Sequence, residues 1–180
     1  MQDVELFLSL AEIAGVFVGF GALIALRSGA TSTPSEVLFV GMVVLLGVQA
    51  VAVALAPVAI SQFDVARDWL WVACSIIALA VFWGGQWANL RSSPERRFFI
   101  ATAPPRVRGP YEMVGALFWL PMNAALILVV LGVLPGQEAA LYFAALVLLL
   151  LFDAVMVLAL VTTGAPSWRA STEAGAGDHA

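Results

Sequence analysis

The 180-residue chain is 62% hydrophobic and 11% charged, with a mean hydropathy of +1.00, against about 25% charged in an ordinary water-soluble domain. That balance excludes a soluble globule, and the apolar residues gather in blocks long enough to make the bilayer the relevant solvent. A formal charge of -4 leaves no basic surface for nucleic acid, so none is expected as a partner.

The residue inventory removes further chemistries. All eight basic residues are Arg, so a lysine Schiff base is impossible. The single histidine, His179, stands next to the last residue and cannot supply a haem or zinc ligand, or the base of a Ser-His pair, inside the membrane. Cys74 is alone, which permits neither an intrachain disulfide nor CxxC chemistry. No enzyme activity and no cofactor are expected.

Five apolar blocks of about 20 residues predict an all-α integral membrane bundle of five transmembrane helices in residues 1–162. The first covers residues 4–26. Acids near its start and the length of the apolar run both argue against a cleavable signal. The second covers 37–60, after a break containing Gly29 and Pro34, and the third covers 69–90, after the polar stretch 61–68. The segment 91–110, RSSPERRFFIATAPPRVRGP, is the only sizeable connection. Its Arg96, Arg97, Arg106 and Arg108 flank Phe98-Phe99-Ile100, a pattern suited to anionic lipid headgroups. The fourth span covers 111–134 and the fifth 138–162, with Pro135-Gly136 as a tight turn between them. Residues 163–180, rich in small residues, read as a flexible tail.

Every Arg lies outside these spans, at 27, 67, 91, 96, 97, 106, 108 and 169. An N-out, C-in orientation leaves all but Arg67 on the cytoplasmic side, as the positive-inside rule requires, so the tail and the 91–110 loop are expected there and the cell membrane is the expected location. Trp69, Trp71, Trp83, Trp87 and Trp168 fall near span ends and read as interface anchors.

Two acids stand well inside spans. An ionised acid near a span centre costs about 2.5 to 3.5 kcal/mol, so Glu12 and Asp153 require compensation and are the candidate proton or cation-binding groups. At 100° per residue, Glu12 shares a face with Gly15 and Gly19, and Ala11 lies one turn before Gly15. That small-xxx-small ridge predicts that Glu12 points into a helix contact, not into lipid. Asp153 has only apolar neighbours on its own face, so its partner is expected on another helix: Gln49, Asn123, or the pair Gln86 and Asn89. Asn123 follows Pro121, which frees a carbonyl near Leu117. Gln49, Gln86 and Asn123 are therefore candidate polar lining. The structural alternative for both acids is a neutral carboxyl hydrogen-bonded across helices. A catalytic dyad of the two is disfavoured by a separation of about 9 Å in depth.

The segment LAEIAG at residues 10–15 resembles the first helix of small multidrug-resistance transporters, whose membrane Glu binds protons and cationic substrates. The resemblance implies such a role for Glu12, with Gly15 as the glycine of the E-x-x-G setting. It covers those six residues alone, and the sequence after Gly15 departs from the family's four-helix pattern. The function expected from these features is a proton or small-cation pathway in a homo-oligomer. The alternative is a non-transporting scaffold or accessory subunit of a larger membrane complex.

Overall fold

Each apolar block becomes a long α-helix in the computed structural model, which describes the backbone of residues 2–28, 34–63, 67–92 and 105–176. The helices are α1 (Gln2–Ser28), α2 (Pro34–Ile60), α3 (Arg67–Ser92), α4 (Pro105–Val130) and α5 (Glu138–Ala176), with a short 3-10 turn at Ser61–Phe63 after α2. Among the described residues there is no strand. All five helices are long and apolar enough to cross a membrane. Many large apolar side chains, among them Leu23, Leu117, Leu120 and Leu158, lie on the outer surface, which suits a lipid surround and not water.

Two helices begin on proline, Pro34 for α2 and Pro105 for α4. Proline fits the first helical position because its missing N–H has no intrahelical partner there in any case. The helices therefore extend beyond the apolar stretches that mark them in the sequence. Arg106 and Arg108 fall in the first turns of α4, whereas Arg96 and Arg97 lie outside the described residues. Likewise α5 continues through Ala176, into the segment expected to form a tail.

α4 stops before the sequence-based boundary at residue 134, for a reason visible in its hydrogen bonds. Val133 N–H donates to Leu128 O at 3.2 Å and Gly132 N–H to Val129 O at 3.1 Å, while Gly132 has φ +62°. These bonds form a Schellman cap, which needs a left-handed residue and so favours glycine. Gln137 N–H then donates to Leu134 O at 3.1 Å across Pro135 and Gly136, with Gly136 at φ +84°. Proline followed by a positive-φ glycine suits a type II turn. Gly136 N–H is also held by the Glu138 carboxylate at 3.0 Å.

α2 is the central helix and packs on α1, α3 and α5; α4 packs on α5 and α3. The buried set on α1 is Phe7, Ala14 and Gly21, with Leu10, Ala11 and Phe17 half-buried beside them. This is a heptad-like stripe, the narrow face by which one helix seats against another. Gly21 and Gly47 allow the close approach. A Cβ on Gly21 would meet Val44 Cγ2 at 3.0 Å, and one on Gly47 would meet Val18 Cγ2 at 2.6 Å and Val18 N at 3.3 Å.

Trp71 is corrected by the structure. It is 8% exposed, enclosed by Phe7 and Tyr142, whereas Trp69 at the same end of α3 is 69% exposed. The two positions lie 200° apart on a helix, so only one of them can face outward. Trp83 and Trp87 are exposed, and Arg91 lies over the Trp87 ring at 4.4 Å from its centre. The side chain of Trp168 lies outside the described residues.

Candidate functional site

The site is built on the inward stripe of α5. Tyr142, Leu146, Leu149, Asp153 and Met156 recur at three- and four-residue spacing and are all buried. Asp153 is 0% exposed, and neither Oδ1 nor Oδ2 has a hydrogen-bond partner. Its Oδ2 faces Gly47 of α2, 3.3 Å from where a Cβ on that glycine would stand, and Val18 of α1 closes the same gap. The carboxyl thus sits where α1, α2 and α5 meet. A side chain larger than hydrogen at position 47 would displace it or α1.

The amides expected to partner Asp153 have other partners. Gln49, 3% exposed, donates through Nε2 to the Val81 carbonyl at 3.1 Å and the Phe82 carbonyl at 3.5 Å on α3. Gly85 makes room for that amide, since a Cβ there would collide with Gln49 Nε2. Gln49 Oε1 remains unpartnered and buried. Asn123 donates through Nδ2 to Trp119 O at 2.8 Å, beside Pro121 on α4, and its Oδ1 accepts from Trp83 Nε1 at 3.2 Å. Gln86 is half-buried on α3. Ser75, on the same helix, is fully buried with its Oγ unpartnered.

Glu12 lies elsewhere. It is exposed, and nothing within 4 Å would meet a Cβ at Gly15 or Gly19. Among the described residues the contact expected on this face is absent, because α1 uses the opposite face: Ala14 and Gly21 lie about 180° to 200° from Glu12. Ala11, at the edge between the two faces, is partly buried against the core. The structure therefore does not bring Glu12 and Asp153 into one site.

One polar contact escaped the sequence reading. Tyr142 Oη donates to Val53 O at 2.7 Å, fully buried, from α5 to α2. In an α-helix the Val53 carbonyl would accept from residue 57, which is Pro57 and has no N–H. The tyrosine thus satisfies a carbonyl that the proline frees, and it packs its ring against Phe7 and Trp71. A proline four residues after an apolar position was the available signal; that the donor would be Tyr142 was not deducible from α2 alone.

Among the described residues, no cluster of three or more His, Cys, Asp or Glu is placed to hold a metal. Comparison with known family models, curated proteins and solved structures gives no match to this chain.

Proposed function

We propose that the chain forms a proton or small-cation pathway, channel or carrier, in the cell membrane, with Asp153 as the central binding group. The observation that carries this reading is a fully buried carboxyl with two unpartnered oxygens at a three-helix junction. Such a group destabilises a fold unless a proton, a cation or a donor completes it, and intramembrane acids retained at that cost mark ion paths. The spare oxygen of Gln49 contributes polar lining, together with Gln86 and Asn123.

The arginine distribution supports N-out, C-in insertion, with the basic residues of 91–108 meeting anionic lipid headgroups on the cytoplasmic side. Self-association through the open Glu12, Gly15 and Gly19 face completes the reading, since a partner helix there would shield Glu12 from hydrocarbon. The same open face is the one observation that favours a scaffold or accessory subunit instead.

The two readings separate in reconstituted vesicles that carry a pH-sensitive dye inside. The pathway reading expects flux under an imposed pH or cation gradient that Asp153→Asn abolishes while the oligomer survives on size exclusion. Glu12→Gln is expected to reduce that flux. Vesicles that pass no protons, sodium or potassium with the wild-type protein would leave the scaffold reading.

A further inference from the structure

We infer that the ion held at Asp153 is a proton, and that metal cations are excluded from the site. This deepens the pathway reading and rests on it for the role of Asp153 as the binding group. The argument is one of ligand number. Sodium-like or divalent hard cations replace a hydration shell and call for about six oxygen ligands at about 2.0 to 2.6 Å. Asp153 offers two oxygens, and neither has a hydrogen-bond partner. On the α1–α2 side Oδ2 looks onto Gly47, 3.3 Å from the point a methyl there would occupy, with Val18 beside it; neither side chain provides a coordinating atom, and among the described residues no cluster of three or more His, Cys, Asp or Glu is placed to hold a metal. A proton needs one oxygen and no shell.

The described charged and titratable groups leave this balance unchanged. Among the described side chains, α1 carries Glu5 and Glu12, both exposed away from its packed face; α2 carries none; α3 carries Cys74 and Arg91, the latter exposed at its end; α4 carries none; α5 adds Tyr142 and, at its start, Glu138. None of them is bonded to Asp153. The hydroxyl of Tyr142 is held by Val53 O instead.

The test is modification of the carboxyl by an apolar carbodiimide in vesicles reconstituted with the whole chain. The protonated acid adds across the reagent's C=N bond with no leaving group, and the adduct is found by peptide mass spectrometry. A proton site expects adduct at Asp153 that increases as the pH falls, is absent in Asp153→Asn, and is unchanged by excess sodium, potassium or calcium. A metal bound there at about 100 times its Kd would suppress labelling about 100-fold, and such protection by any of the three would overturn the inference. Absence of the adduct at every pH, with Asp153→Asn folded like wild type on size exclusion, would overturn it equally. Labelling indifferent to metals in vesicles that show no flux would uphold the proton site and reject the pathway, so the two failures are distinguishable.

Discussion

Tyr142 and Asp153 lie eleven residues apart on one stripe of α5, within about 20° of each other, and differ in what meets them. The tyrosine finds a carbonyl left open by Pro57; the aspartate finds a glycine and a valine. An unpartnered buried polar group costs about 1 to 3 kcal/mol, whereas an apolar group of similar shape does not. Asp153→Val is therefore expected to raise stability to unfolding in mixed micelles by about 1 to 3 kcal/mol while eliminating flux. A loss of stability in the single chain would mean the carboxyl has a donor. Sequence reasoning located this acid because insertion cost depends on depth along an apolar run. It chose the wrong partners for it, because both amides bond backbone carbonyls: Asn123 one a turn back on its own helix, and Gln49 one on α3 that only tertiary packing brings within reach.

Between helices, the determining contacts come from residues whose role depends on face. Between its polar ends α1 is apolar all round apart from Glu12 and Ser9, so nothing in its pattern tells Ala14 and Gly21 from Gly15 and Gly19 as the seat for α2. The wheel angles were readable; the choice between opposite faces was not. The same holds for Trp69 and Trp71. Gly47→Ala is expected to destabilise the chain by about 1 to 3 kcal/mol, because the added methyl meets Val18 Cγ2 at 2.6 Å and backbone beside it, so α1 must move. The α2–α5 joint makes a second prediction. Tyr142→Phe leaves Val53 O without its buried donor and is expected to cost about 1 to 3 kcal/mol. In a Pro57→Ala background the restored N–H serves that carbonyl, and the cost of Tyr142→Phe is expected to fall by more than about 0.5 kcal/mol in a double-mutant cycle. Equal costs in both backgrounds would show that the ring's packing matters and the hydroxyl does not.

For the molecule as a whole, composition was enough to indicate five membrane-length helices, since hydrocarbon demands that every backbone group be satisfied within its own segment. How they group around α2 was not readable, because lipid-facing and protein-facing positions are equally apolar. Self-association belongs to this level. A Cβ at Gly15 or Gly19 meets nothing among the described residues, so Gly15→Leu and Gly19→Leu are each expected to change the unfolding free energy of the single chain by less than about 0.5 kcal/mol. Both are expected to weaken the proposed self-association in analytical ultracentrifugation, where undiminished association would place the interface on another face.

The bend from Leu131 to Gln137 bears on any movement that opens a route to Asp153. Capped by one positive-φ glycine and turned by another, with a carboxylate clamped across its second half, it has little slack to pay out. The turn thereby holds the end of α4 close to the start of α5. On the proposed pathway, admission of a proton to the carboxyl would then fall to the other wall, where α1 and α2 meet without an intervening side chain at Gly47.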